Sequence, residues 1–137
     1  MIELQQQIFS ALTSTTSVTS ITTNIYPEGF GTGFPRLTYQ FLENPINKEE
    51  KYASGKYWYT ARPVVQLKAS FAKTASDPGA SAMALLKAAR RAISPARLSN
   101  TTLNVGKVIT QTENVLLEAE GAWVAVGRYQ IIYAMNQ

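Results

Sequence analysis

Apolar residues recur at helical spacing in two segments of the chain. In residues 2–13, Leu4, Ile8 and Leu12 fall on one face of a helix. Residues 78–93 carry a similar stripe of alanine, leucine and isoleucine. Both patterns predict amphipathic helices that bury one face against a core.

The start of the second helix has the clearest local signal in the sequence. Asp77 is followed directly by Pro78. An aspartate side chain can accept a hydrogen bond from a free N–H in the first turn of a helix. Proline suits the first helical position because it has no N–H to lose there. We therefore expect Asp77 to cap this helix and Pro78 to begin it.

Most of the remaining chain has the apolar and β-branched composition of strands. Five segments are typical of strands: residues 36–42, 56–71, 102–109, 111–118 and 122–134. The last of them carries apolar residues on both faces, which favours a central position in the sheet.

A long polar segment separates the first two of these strands. Residues 44–55, NPINKEEKYASG, contain alternating charge and finish at Gly55. We expect them to form the extended tip of a long β-hairpin. Pro63 interrupts the strand predicted at residues 56–71. It predicts a bulge or an edge position, because proline has no backbone N–H to donate to a neighbouring strand.

A glycine-rich stretch precedes the first long strand. Residues 24–39, NIYPEGFGTGFPRLTY, contain three glycines and two prolines. A phosphate-binding loop needs a strand entering it and a helix leaving it. Here a strand follows, so we expect Gly31 and Gly33 to supply positive-φ positions in a hinge.

The order of elements predicts an α+β fold in one domain, residues 1–137. Its antiparallel or mixed β-sheet would have two α-helices packed on one face and a long β-hairpin arm. The opposite face would expose apolar and aromatic side chains, among them Tyr57, Tyr59, Val124 and Val126. Exposed patches of this kind usually mark an interface.

The composition removes most catalytic chemistry. The chain has no cysteine and no histidine, and Asp77 is its only aspartate. Thiolate nucleophiles, Ser–His–Asp triads and His-based metal sites are therefore excluded. A carboxylate-only or Ser–Lys mechanism is all that remains, and we expect no enzymatic activity, no metal and no cofactor. No apolar run approaches the roughly 20 residues that span a bilayer, and the N-terminus lacks signal-peptide features. We expect a soluble protein made in a cytosol, without a membrane partner.

The net charge of +4 is modest, and the basic residues are dispersed. One part of the chain combines basic and aromatic residues: Lys48, Lys51, Lys56, Tyr57, Trp58 and Tyr59. We interpret this group as a subunit contact or a contact with another assembly component. As an alternative, the aromatic residues could stack on nucleic-acid bases in a small basic binding domain.

The layout resembles the small tail terminator (tail completion) proteins of long-tailed bacteriophages. The first part of the likeness is a short helix, a Thr/Ser-rich turn and the pattern IYP…G…P-x-L-x-Y. The matching residues are Ile25, Tyr26, Pro27, Gly33, Pro35, Leu37 and Tyr39. A charged hairpin, a long strand and an alanine-rich helix follow. The chain then ends with a β-hairpin that carries Arg128, Tyr129, Ile131 and Tyr133.

This resemblance implies a structural virion protein. It would form a homohexameric ring that caps the tail tube, ends tube polymerisation and faces the head-completion or connector proteins. Genomic DNA would pass through the lumen without sequence-specific binding. The ring would sit at the head-proximal end of the virion tail after assembly in the host cytoplasm. A head–tail connector, a head-completion protein and a tail tube subunit are the alternatives within the same class.

Overall fold

A computed structural model describes residues 2–31, 33–43, 46–51, 57–117 and 121–135. The helices in these ranges are α1 (Ile2–Ser14), α2 (Thr16–Thr19), α3 (Pro78–Ala92) and α4 (Pro95–Leu98). The strands are β1 (Ile25–Pro27), β2 (Arg36–Glu43), β3 (Ile46–Lys51), β4 (Tyr57–Ala61), β5 (Val64–Ala72), β6 (Leu103–Leu117) and β7 (Ala122–Met135). The predicted α+β class is confirmed.

All these strands belong to one mixed sheet. Strand β7 lies in its centre, because it pairs with β6 on one side and with β5 and β4 on the other. Strand β2 pairs antiparallel with β5, and the short β1 pairs parallel with β2. Pro63 lies between β4 and β5, and its carbonyl oxygen accepts a hydrogen bond from the Ile131 N–H at 2.9 Å. The predicted interruption at Pro63 is thus confirmed.

The helices bury their apolar stripes on one face of the sheet. Helix α3 packs against β5 and β7, and α1 contacts both β1 and α3. The core side chains Leu4, Leu12, Leu85 and Leu86 are fully buried. Burying one such side chain stabilises a fold by about 1.5–3 kcal/mol. The two predicted long helices therefore cover one face, as expected.

The hairpin arm, formed by β3 and β4, continues the sheet beyond the core. Strand β3 pairs antiparallel with β4, while β2 and β5 pair closer to the helices. The segment predicted as a polar tip, residues 44–55, therefore contains a paired strand at Ile46–Lys51. Residues 44–45 and 52–56 lie outside the described ranges, and Lys56 is one of them.

Strand β6 differs from its prediction. The sequence predicted two strands, 102–109 and 111–118, whereas the structure has one strand of 15 residues. Its pairing with β7 shifts register between Val105 and Lys107 and again between Thr110 and Thr112. Each shift is a bulge that absorbs one extra residue, so the ladder continues through a break in the alternation.

The predicted side-chain cap at Asp77 is wrong. Asp77 has φ 46° and ψ 60°, a left-handed conformation, and its side chain makes no capping hydrogen bond. Capping residues normally have extended backbone, which presents the side chain to the first free N–H groups. Asp77 is instead one of the few residue types that tolerate left-handed backbone. Pro78 does begin α3, as predicted.

Candidate functional site

The face of the sheet away from the core, here called the open face, is mainly polar. Leu37, Leu67 and Ala125 are fully buried beneath the helices. Their neighbours along each strand point the opposite way, because side chains alternate in a strand. The open face accordingly carries Arg36, Thr38, Gln66, Lys68, Ser70, Thr112, Asn114, Leu116, Val124, Val126 and Arg128.

Three cations cross the open face in a diagonal row. Arg36 on β2 is paired with Ser70 of β5, two residues from Lys68. Lys68 is in turn paired with Val126 of β7, two residues from Arg128. Each step therefore moves one strand across and two residues along, which separates the Cα atoms by about 7–8 Å.

Each cation of this row contacts one other side chain. The Arg36 guanidinium lies over the Phe34 ring, 4.8 Å from its centroid. Lys68 Nζ lies 3.5 Å from Glu28 Oε1, and Thr38 Oγ1 donates to Glu28 Oε2 at 2.7 Å.

Arg128 Nε, in turn, donates to Gln66 Oε1 at 3.1 Å. Two pockets, of about 340 and 500 Å³, open along the row and share Lys68 as a lining residue.

The apolar second face that the sequence predicted is not found among the described side chains. Val124 is only 1% exposed, and Val126 is partly buried beside Lys68 and Asn114. Val124 lies between Ser70 of β5 and Leu116 of β6, and it offers almost no surface to a partner. A contact role for these two residues stays a prediction.

The hairpin arm brings its basic and aromatic residues together along the backbone. Lys51 is paired with Tyr57, and Lys48 is paired with Thr60. Trp58 and Tyr59 follow in the same strand β4, which joins the end of β7. Their role as subunit or tube contacts stays a prediction.

The glycine-rich stretch is a hinge between two strands. Gly31 and Gly33 have φ values of 85° and 86°, as predicted. A Cβ at Gly31 would overlap the Tyr26 ring, whereas one at Gly33 would have only Asn24 within 4 Å. Strand β2 begins at Arg36, and no helix follows the loop. The arrangement needed for a phosphate-binding loop is therefore not present here.

A partly buried carboxylate links α3, β6 and β7. Glu113 Oε1 accepts a hydrogen bond from Arg90 Nη1 at 2.8 Å, and Glu113 Oε2 accepts one from Tyr129 Oη at 2.7 Å. Tyr129 is fully buried. Burial, followed by the hydrogen bond to Glu113, raises the pKa of Tyr129 well above its usual value. A neutral tyrosine and a paired carboxylate serve here as a structural cross-link.

Sequence reasoning missed this cross-link. Arg90 lies on α3 and Glu113 on β6, 23 residues further along the chain, so no local pattern pairs them. The available signal was Gly127, which lies two residues before Tyr129 and opposite Glu113 in the ladder. A strand glycine often marks a close approach of another group, and here the Tyr129 ring occupies that space.

Apolar side chains are exposed at both sides of the sheet. Leu42 near the end of β2 is 38% exposed, and Val115 and Leu116 on β6 are 37% and 43% exposed. Phe9 is 43% exposed and, with Tyr39, lines a groove of about 420 Å³ beside β1. These positions are the candidate contact surfaces of the described chain.

Neither a metal site nor a membrane-spanning helix is found in the described residues. Within the described ranges, His, Cys, Asp and Glu side chains form no group of three able to hold a metal ion. The helices in those ranges are too short or too polar to cross a membrane.

Comparison with known proteins identifies a shared fold. No protein-family model and no curated protein sequence matches the chain. One solved structure is described as "Virion of native gene transfer agent (GTA) particle", and a chain in it is similar with a TM-score of 0.62. The two chains are 10% identical, and the match covers 96% of this chain and 94% of that chain. The likeness extends over nearly all of this chain and shows its α+β fold.

Proposed function

We propose that this protein is a structural component of a phage-like virion, and that it forms a ring which caps the tail tube. The ring ends tube polymerisation and joins the tail to the head-completion proteins. The observation that carries the proposal is the fold likeness to a chain of a gene transfer agent virion, over 96% of this chain. The sequence resemblance to tail terminators points to the same class.

Exposed apolar groups support self-assembly. Leu42 near one side of the sheet and Leu116 at the other are more than a third exposed. Among the described strands, β6 pairs with β7 alone. Ser99 and Asn100 bond to its first residues, Leu103–Val105, so its outer edge is available beyond Val105. Different surfaces at opposite sides of one chain suit a heterologous contact, which closes into a ring when the rotation between neighbours permits it.

The proposed role requires no catalysis by the protein. Its partners are further copies of itself, the tail tube protein, the head-completion or connector protein, and the DNA that passes through. The protein would act in the virion, at the head-proximal end of the tail. We therefore expect purified protein to show no hydrolase, transferase or redox turnover.

Two measurements test the ring. Light scattering of purified protein, alone and with tube protein, should give the mass of a closed oligomer. Adding the protein to polymerising tube protein should shorten the tubes as the protein concentration rises. Unlimited self-stacking would identify a tube subunit instead. A monomer at every concentration, with tubes of unchanged length, would refute the proposal.

Shortening the arm tests whether it makes assembly contacts. Replacing residues 46–53 by a short glycine link removes β3, the strand at one end of the sheet, which is paired with β4. The chain should remain folded, because β3 takes no part in the pairings among β2, β5, β6 and β7 that carry the helices. Its ability to assemble or to cap tubes should fall. A shortened protein that assembles and caps tubes like the parent would rule out this role for the arm.

A further inference from the structure

We infer that the open face binds the phosphate backbone of double-stranded DNA without reading its sequence. The inference rests on the proposed function for the presence of DNA and names the surface that meets it. The binding itself is a property of one chain and can be measured without tail proteins.

Charge on the open face favours a polyanion. Arg36, Lys68 and Arg128 line its two pockets, and Glu28 is the only carboxylate among the described lining residues. Glu28 and Lys68 are 3.5 Å apart, and their side chains are 32% and 27% exposed. An ion pair of this length that is partly open to solvent contributes little stability. A phosphate can therefore compete with Glu28 for the Lys68 ammonium group.

The spacing of the cations favours a chain of phosphates over one small anion. The diagonal row has two steps of about 7–8 Å, so it extends about 15 Å across three strands. Successive phosphates of one DNA strand rise about 3.4 Å along the duplex axis. The row can therefore contact several phosphates, while a single phosphate ion would leave at least one cation unused.

Hydrogen-bond donors lie beside the cations. The hydroxyl groups of Ser70 and Thr112 and the amides of Gln66 and Asn114 line the same two pockets. Such groups commonly donate to phosphate oxygens, and those contacts carry no sequence information. Phe30 lines the first pocket and Phe34 lies against Arg36, but the second pocket has no aromatic lining residue among the described ones. Aromatic rings at one end of the row do not provide the successive stacking platforms that a single strand uses. A duplex backbone is the matching ligand.

The test compares two charge-matched triple variants. The open-face variant carries Arg36→Gln, Lys68→Gln and Arg128→Gln. The control variant carries Lys73→Gln, Lys87→Gln and Arg91→Gln. All three control positions are exposed, and two of them lie on α3. Both variants lose the same formal charge, so only its location differs.

Fluorescence anisotropy with a short duplex of mixed sequence, over a range of salt concentrations, provides the readout. Three phosphate contacts predict a slope of about −2.7 for log K against log salt, a loss of about 40-fold between 50 and 200 mM. The parent and the control variant should show this slope. The open-face variant should lose most of it. Thermal melts establish that each protein is folded, and Arg128→Gln alone, at an exposed position, should reduce the slope by about one.

Several results would overturn the inference. These are no salt-dependent binding by the parent, an equal loss in both triple variants, or tighter binding of a single strand than of the duplex. An open-face variant that binds DNA normally but changes its oligomeric mass would instead make this face a contact between copies. The outcomes are independent of tube capping. DNA binding without capping would refute the proposed role alone, and capping without DNA binding would refute this inference alone.

Discussion

Gly127 provides a sharp test of the packing around the buried cross-link. It lies in the central strand β7 and is itself buried. A Cβ at this position would overlap the Tyr129 hydroxyl and would lie 2.6 Å from Tyr129 Cζ. The ring cannot simply turn away, because it is fully buried and its hydroxyl donates to Glu113 at 2.7 Å. Gly127→Ala must therefore shift the backbone or break this hydrogen bond.

The expected cost follows from those two routes. Overpacking a dense core costs about 1–3 kcal/mol. A hydrogen bond to a charged group is worth about 1.5–3 kcal/mol. The variant takes whichever route costs less, so Gly127→Ala should lower the free energy of unfolding by about 1–3 kcal/mol. For a domain of this size that loss is a fall of about 4–12 °C in Tm.

Denaturant unfolding followed by circular dichroism measures this loss, and Gly106→Ala is the matched control. Gly106 also lies in a long strand, but a Cβ there would meet only the Ile132 carbonyl oxygen, at 3.8 Å. The control should stay within about 0.5 kcal/mol of the parent, as exposed substitutions usually do.

Tyr129→Phe completes a double-mutant cycle. It removes the same hydrogen bond to Glu113, so the two losses should be less than additive by about 1–2 kcal/mol. A Gly127→Ala protein as stable as the parent would refute the reasoning. Full additivity would also contradict it, since the two changes would then act on separate contacts.

Three further predictions concern single positions. Asp77→Gly should be at least as stable as the parent, because glycine has no Cβ to clash in left-handed backbone. Asp77→Ala should be about 1 kcal/mol less stable, because alanine keeps the Cβ but loses the short polar side chain that lets aspartate adopt this conformation. A glycine variant clearly less stable than the parent in urea melts would restore the capping explanation. Gly31→Ala should be more destabilising than Gly33→Ala, since both have positive φ but only the first overlaps Tyr26; equal midpoints would contradict this. The raised pKa of Tyr129 contributes stability in full below about pH 10, the pKa of an unfolded tyrosine, and this contribution is lost as the pH rises further. Above about pH 10, the free energy of unfolding of the parent should therefore fall by up to about 1.4 kcal/mol per pH unit more than that of Tyr129→Phe. Parallel profiles would show that Tyr129 does not contribute.

Local features of the chain were predictable from its sequence. The apolar stripe of residues 2–13 corresponds to α1, Ile2–Ser14, and α3 begins at Pro78 as predicted. Pro63 interrupts a strand, and Gly31 and Gly33 have positive φ. These features depend on periodicity within one element, or on residues that restrict or free their own backbone. Neighbouring positions in the sequence contain that information.

The tertiary structure decided which side chains meet. The diagonal of Arg36, Lys68 and Arg128 exists only because the registers of β2, β5 and β7 align them. Each residue alone is an ordinary exposed or half-exposed cation in a strand. The bond between Tyr129 and Glu113 likewise joins strands whose bulges set the register. Register depends on pairing across the whole sheet, and a shift of one residue would move every side chain to the opposite face.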